Sequence, residues 1–295
     1  MNKRLFTVRL HLVRHGETYA NREGIVLGQR ESELTEQGIA QALALGKTLA
    51  GKTNQRRSLP NFWRVYSSDY HRTKQTAALI LRGGATYDEH SDFRSAFKAT
   101  IVPDNRLKER AKGVKEGRPK SLPYDDALRL FHQEHGGIHN DTKLPLLETE
   151  LDVWTRIQNW IHETVADAND IHTGKSSYAM HTRRDVYDIL AVSHSATIRT
   201  TVNRLVGEQL PTTIVRGSGG REGSEPGMLK VPNTSMTIID IAVGERHLNL
   251  LDNNNDETNN NNNNNNNDNN NNNTDTSIQQ IGAELIELTN TDHLL

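Results

Sequence analysis

The apolar run Val186-Tyr187-Asp188-Ile189-Leu190-Ala191-Val192, which empties directly into Ser193-His194-Ser195, constrains the fold more than any other stretch of the chain. So short and continuous an apolar run reads as a strand buried on both faces, and such strands belong to parallel sheets covered by helices on either side. The N-terminal stretch repeats the layout. Phe6, Val8, Leu10 and Leu12 alternate with other residues and Val13 runs into Arg14-His15-Gly16. That pattern is a strand ending in a glycine turn, with a histidine at its carboxyl end.

Helical patterns alternate with these strands. Thr35-Glu36-Gln37 opens a helix whose Ile39, Ala42, Leu43, Gly46 and Leu49 share one face. Phe62 to Tyr66 reads as a short strand, Ser67-Ser68 as its exit, and Asp69 as the N-cap of a helix to about Leu81 with Arg72 in its first turn. A strand around Thr100 to Val102 leads into the charged loop Leu107-Lys108-Glu109-Arg110. Helices near Tyr124 to His135 and Glu148 to Ala168 are expected as a cap or side layer. Another helix follows the run at 186–192 as far as Val206, and Ser235 to Val243 and Ala283 to Leu288 are the last strands. The expected fold is α/β, a three-layer sandwich whose mostly parallel central sheet is flanked by helices, with a small helical cap region.

Single cores seldom grow past roughly 250–300 residues, so 295 residues suit one domain with additions. Residues 1–251 are expected as the catalytic domain, 252–277 as an Asn-rich disordered insertion, and 278–295 as the C-terminal strand and tail of the same domain. The run from Asn253 to Asn273 accounts for part of the low mean hydropathy of -0.72, because such a segment cannot bury enough apolar area to offset its ordering entropy. Arg216 to Gly227, rich in Gly and Ser, reads as a flexible loop.

A net charge of -2 gives no electrostatic footprint for nucleic acid. Arg9 and His11 interrupt the N-terminal apolar stretch, so neither a signal peptide nor a membrane anchor is expected there. With no cysteine, disulfide scaffolds, thiolate metal sites and cysteine nucleophiles fall away, which makes a cytoplasmic protein the default. His132 and His135 lack the supporting Glu of a zinc helix, so no metal and no cofactor are expected. Trp154 and Trp160, at near-helical spacing, are expected in packing.

Ligands of parallel sheets bind at the carboxyl ends of the strands, and His15, Ser68, Arg72 and His194 all fall at that edge. A phosphoryl group needs cationic donors around its oxygens, an in-line nucleophile, and an acid for the leaving oxygen. Arg14, Arg72, His15 and His194 supply the first two. Histidine attacks phosphorus through an unprotonated ring nitrogen, while a second histidine is more useful protonated. Spacing alone leaves open which plays which role. Glu109 is the candidate acid once a nearby phosphate favours its protonated form, and Glu17 is its rival.

Leu12-Val13-Arg14-His15-Gly16-Glu17-Thr18 with Asn21 resembles the opening signature of the histidine phosphatase superfamily, in its phosphoglycerate-mutase-like branch. Ser67 to Thr76 resembles that branch's second arginine motif, and Leu107-Lys108-Glu109-Arg110 with Gly113, Glu116 and Gly117 its acid loop. Val192-Ser193-His194 and Pro232-Asn233-Thr234-Ser235 complete the set in order. The resemblance implies His15 as the phosphorylated residue and Glu109 as the proton donor. It implies Arg14, Arg72 and His194 as the phosphate pocket, with Asn21 assisting. Ser195 stands where the family usually has glycine, and its backbone amide is still available to phosphate.

The acid loop is similar to that of TIGAR-type fructose-2,6-bisphosphatases and fungal broad-specificity phosphatases, and less like the loop of glycolytic mutases. The expected activity is therefore metal-independent hydrolysis of a small phosphorylated metabolite such as a sugar bisphosphate. Arg22, Arg110 or Lys112 would meet its second phosphate. A phosphoglycerate mutase and a non-catalytic phosphate-binding module are the alternatives.

Overall fold

The computed structural model describes residues 4–51, 62–85, 100–137, 143–175, 184–207, 229–244 and 283–290. The expected loop at Arg216 to Gly227 and the run from Asn253 to Asn273 lie outside them. In chain order the elements are β1 (Arg4–Arg14), α1 (Tyr19–Arg22), α2 (Glu36–Gly51), β2 (Arg64–Ser67), α3 (His71–Ala85) and β3 (Ile101–Pro103). There follow α4 (Tyr124–Glu134), α5 (Glu150–Thr173), β4 (Val186–Ser193), α6 (Ser195–Val206), β5 (Met236–Gly244) and β6 (Ala283–Asn290).

One sheet runs in the order β3-β2-β4-β1-β5-β6. Strands β3, β2, β4 and β1 pair in parallel, and β5 alone runs against its neighbours β1 and β6. The register of β1 against β4 runs from Thr7 opposite Val186 to Arg14 opposite Ser193. His15 and His194, each the next residue along, therefore leave the sheet side by side.

Alternation sorts the side chains into two cores. Phe6, Val8, Leu10 and Leu12 of β1 pack against Trp154, Ile157 and Trp160 of α5 and Ile198 and Val202 of α6. On the other face, Val13 and Val65 meet Ala42, Leu45 and Leu49 of α2 and Ala77 and Ile80 of α3. β4 feeds both cores: Tyr187, Ile189 and Ala191 point one way, Leu190 and Val192 the other. Its continuous apolar run is thus the consequence of having a helical layer on each side. Burying a side chain of this size stabilises the fold by roughly 1.5–3 kcal/mol, so these layers carry the architecture.

The odd positions of β1 are more polar. Arg9 binds Asp240 on β5 with two hydrogen bonds of 2.6 and 2.7 Å, and His11 Nε2 lies 2.8 Å from Asp188 Oδ1 on β4. A one-residue slip would break both pairs and turn the apolar side chains outward, so they specify the register that aligns the two histidines.

α5 differs from expectation. It runs five residues beyond Ala168, to Thr173, and of the two expected placements, cap or side layer, it takes the side layer. Thr149 and Asp152 close a reciprocal capping box at its start, and Gly174 ends it in the left-handed conformation at φ 78°. The polar residues Asn169, Asp170 and His172 hide this last turn and a half in the sequence. α4 instead lies beside the short 3-10 turn Gly113–Lys115 that follows the acid loop. α3 likewise starts at His71, so Asp69 is not its N-cap; the Glu31 carboxylate accepts from the His71 amide at 2.8 Å. Among the described residues, no helix is long and apolar enough to cross a membrane.

Gly16 serves close approach and not a turn conformation, because its φ is not positive. A Cβ there would lie 2.6 Å from Gly38 O, and a Cβ on Gly38 would lie 2.1 Å from Glu17 O. The first turn of α2 thus rests directly on the backbone that follows His15. Gly38→Ala is expected to destabilise the protein by about 1–3 kcal/mol, outweighing the roughly 0.5–1 kcal/mol that Ala gains over Gly in a helix. Thermal unfolding checks it; an unchanged or raised Tm would show that the contact yields.

Candidate active site

His15 is fixed from several sides. Its backbone N–H donates to Ser193 O at 3.0 Å, and its carbonyl accepts from Asn233 Nδ2 at 3.0 Å. The ring Nδ1 lies 2.7 Å from Gly16 O. A carbonyl only accepts, so Nδ1 carries the proton and Nε2 is left with the lone pair.

His194 directly precedes α6, and its Nε2 lies 3.0 Å from Ser68 Oγ. Ser68 Oγ in turn donates to Asp69 Oδ1 at 3.4 Å. Since a carboxylate only accepts, the serine proton points to Asp69 and its lone pair receives His194 Nε2–H. Nδ1 of His194 is then the nitrogen left for the site, and it has no hydrogen-bond partner among the described residues. The two histidine rings meet edge to face with centroids 5.2 Å apart. Ser68→Ala removes this orientation and is expected to lower kcat/KM for phosphate release about ten- to hundredfold, with Ser68→Thr recovering most of it. A variant as active as the parent would show that His194 needs no such partner.

Arg72 is aimed by backbone. Its Nη1 donates to Arg30 O at 2.7 Å and to Glu31 Oε2 at 3.3 Å, its Nη2 donates to Gly28 O at 3.2 Å, and the guanidinium lies over the Tyr70 ring. Nε is buried without a partner among the described residues, as is that of Arg14, whose Nη1 donates to Val231 O at 2.7 Å. Burial, and then the charges of Arg72 and Arg199, bring the Arg14 guanidinium down to about 10, against the pull of Glu109. It still stays cationic at neutral pH.

His15, Arg72 and His194 are only 4, 1 and 0% exposed. Burial holds both imidazoles well below the ordinary histidine value, and the arginine charges push the same way. The reaction is served by one neutral and one protonated histidine. Both are pushed toward the neutral form, because each lies in the field of the same two arginines.

The acid loop is clipped to β4 and α6. Ser193 Oγ donates to Leu107 O and Thr197 Oγ1 to Lys108 O, both at 2.7 Å, and the Ala196 amide donates to Glu109 Oε2 at 3.3 Å. Glu109 Oε1 accepts from the Arg110 amide at 2.8 Å. Glu17, the rival acid, accepts from Thr35 Oγ1 at 2.8 Å and pairs with Arg22 at 3.1 Å, so its carboxylate anchors the loop after His15.

A cavity of about 260 Å³ gathers six of the seven residues singled out in the sequence: Arg14, His15, Asn21, Arg72, Glu109 and Ser195. His194 does not line it, but lies buried against His15. Asn21 Oδ1 accepts from Asn233 Nδ2 at 3.2 Å and from the Thr18 amide at 3.3 Å, which orients its side chain. Of the three further cations expected, Lys112 lines the cavity; Arg22 pairs with Glu17 and Arg110 Nε donates to Glu148 O. Lys120 and Arg199 also line it and escaped the sequence reading. Arg199 had a signal, four residues after Ser195 on the same helix face. Lys120 had none, since it arrives through its amide donating to Gly24 O at 2.8 Å.

The family described as the histidine phosphatase superfamily (branch 1) matches residues 10–254. The chain belongs to that family. It is 41% identical over 129 residues to the Xenopus laevis fructose-2,6-bisphosphatase TIGAR, an alignment covering 43% of this chain and 39% of that protein. It is 37% identical over 112 residues to the probable phosphoglycerate mutase GpmB of Yersinia pestis (strain Pestoides F), covering 38% of this chain and 42% of that protein. The chain thus spans less than half the length of these relatives. The solved phosphoglycerate mutase of Bacillus anthracis str. Sterne shares the fold, with a TM-score of 0.53 and 21% identity over 81% of this chain and 90% of that one. In this histidine phosphatase Arg14-His15-Gly16 stands at the exit of β1.

Proposed function

We propose that this histidine phosphatase releases phosphate from a small anionic metabolite through a phosphohistidine on His15. The observation that carries the reading is the tautomer of His15, which leaves Nε2 its lone pair, on a residue lining a cavity with Arg14, Arg72, Arg199 and the Glu109 carboxylate. Arg14 and Arg72 hold the phosphoryl oxygens, joined by the backbone amide of Ser195 at the N-terminus of α6. Asn21 adds its amide, and His194 donates from Nδ1 once the phosphate dianion supplies the charge that protonates it.

In the first step Nε2 attacks phosphorus and the P–O ester bond breaks, while Glu109 passes its proton to the departing alkoxide. In the second, Glu109 as carboxylate takes a proton from water, the hydroxide attacks phosphorus, and the P–N bond breaks to restore His15. The charge stabilisation in this scheme comes from arginine and histidine, which makes it independent of added metal.

Beyond the phosphoryl clamp the cavity carries Lys112, Lys120 and Arg199 against the single carboxylate Glu109. That excess favours a substrate with more than one anionic group, and a sugar bisphosphate such as fructose 2,6-bisphosphate is consistent with the TIGAR relative. A probable mutase among the relatives keeps phosphoglycerate in view as the second reading.

The test is phosphate release from fructose 2,6-bisphosphate, 2,3-bisphosphoglycerate, 3-phosphoglycerate and p-nitrophenyl phosphate, with chelator present. Chelator-resistant release, fastest on a bisphosphate, is the expected result. Isomerisation of 3-phosphoglycerate without release would make the protein a mutase, and binding without turnover a non-catalytic module.

A further inference from the structure

The acid loop is held from a second side as well, away from β4 and α6. Residues 146–148 run antiparallel to residues 111–113: the Gly113 amide donates to Leu146 O at 2.9 Å and the Glu148 amide to Ala111 O at 3.2 Å. Glu148 stands immediately before Thr149, the N-cap of α5, and is buried. Its carboxylate joins three segments of the chain. Oε2 accepts from the Ala111 amide at 2.8 Å and from Gln29 Nε2 at 3.3 Å. Both oxygens meet Arg156 on the second turn of α5, Oε1 with Nε at 3.1 Å and Oε2 with Nη2 at 3.4 Å.

These contacts bracket Glu109. Gln29 Nε2 also donates to Glu109 O at 3.1 Å, and Arg110 Nε donates to Glu148 O at 2.7 Å. Residues 110 and 111 are thus tied to Glu148 directly, and residue 109 through Gln29. Arg156 extends the hold to the entry of the loop, where its Nη1 donates to Arg106 O at 2.5 Å. An ionised carboxylate offers about four acceptor sites, and four donors meet them here. A carboxamide could not replace it, because its NH2 would face donors. Glu148 does not line the phosphoryl cavity, so it reaches the reaction only through the backbone it holds. A shift of about 1 Å in a reacting group costs up to about 10²-fold in rate, so that hold bears on catalysis.

We infer that Glu148 is a positioning residue for the proton transfer: its carboxylate, shared between Ala111, Gln29 and Arg156, fixes the backbone of residues 109–111 and so aims Glu109 at the leaving oxygen. The inference rests on the reading of Glu109 as the proton donor.

The experiment follows kcat/KM for phosphate release from an alkyl ester, 3-phosphoglycerate, and from p-nitrophenyl phosphate. It compares the wild-type protein with Glu109→Gln, Glu148→Gln and the double variant, with thermal unfolding measured on each. Glu148→Gln is expected to slow the alkyl ester about ten- to hundredfold and p-nitrophenyl phosphate far less. In the Glu109→Gln background it should add less than about twofold, since a residue that acts through the acid then has nothing left to position. A merely structural contact would cost both substrates alike and would multiply with Glu109→Gln; either result overturns the inference. If Glu148→Gln does not fold, Gln29→Ala takes its place, because it cuts the tie to Glu109 O and leaves the pair of Glu148 and Arg156 intact. It should slow the alkyl ester about threefold or more beyond p-nitrophenyl phosphate, and equal loss or none overturns the inference. A Glu109→Gln protein that loses equally on both substrates, or a wild-type protein that releases no phosphate, removes the reading of Glu109 as acid and the inference with it. A discriminating Glu109→Gln beside an indifferent Glu148→Gln removes the inference alone.

Discussion

His15→Ala is expected to abolish phosphate release from every substrate, by about 10⁴-fold or more, while the protein still folds and binds phosphate esters. The magnitude follows from removing a covalent nucleophile whose residual site can only position water. Folding survives because the ring makes one hydrogen bond, to Gly16 O, and the backbone of residue 15 remains held by Ser193 and Asn233. Binding survives because Arg14 and Arg72 are aimed by Val231 O, Arg30 O and Gly28 O, none of which depends on the imidazole. Residual release above roughly 1% of wild type, far more than loss of a nucleophile allows, would move the covalent step to another residue.

The same residue sets a pH dependence. The nucleophile must be neutral, and burial beside Arg14 and Arg72 lowers its proton affinity. The acid limb of kcat/KM in the free enzyme should therefore fall below the ordinary histidine value of about 6.5. Stability should move with it. Unfolded His15 and His194 bind protons near pH 6.5 that the folded chain refuses, so their contribution is intact above that pH and is lost as pH falls toward their depressed folded values.

Glu109→Gln is expected to slow release from alkyl phosphates by about 10²–10⁴-fold, the usual worth of a general acid. On p-nitrophenyl phosphate, whose leaving group departs as a stable anion, the first step should lose far less. The substitution suits this test because the carboxamide oxygen it introduces can still accept from the amide of Arg110 or Ala196, which in the parent protein donate to the carboxylate at 2.8 and 3.3 Å. Equal losses in kcat/KM, which reports the first step, on both substrates would mean that Glu109 holds the loop and does not protonate the leaving oxygen.

The two cores and the helices over them were legible because burial writes a period into the sequence. β4 reads as apolar throughout because it faces both cores, and β1 alternates because its odd positions carry Arg9 and His11. α5 was underestimated where its buried face passes Asn169 and His172, polar residues that the core tolerates near a helix end. The histidine and arginine at the exit of β1, and the arginine in the first turn of α3, were legible through the strand ends that place them.

The sequence by itself determined which residues stand at the carboxyl edge of the sheet, because strand and helix periods are local and each exit follows from its own segment. Only the tertiary structure decided what those residues do to one another. The in-register pairing of β1 with β4 sets the two imidazoles side by side, and the carbonyls of Gly28, Arg30 and Val231 aim the arginines. Lys120 reaches the cavity through a backbone contact between distant loops. Every residue other than proline offers the same amide and carbonyl, so contacts of this kind leave no mark in the sequence, and they exist only once the packed sheet fixes where each loop must pass.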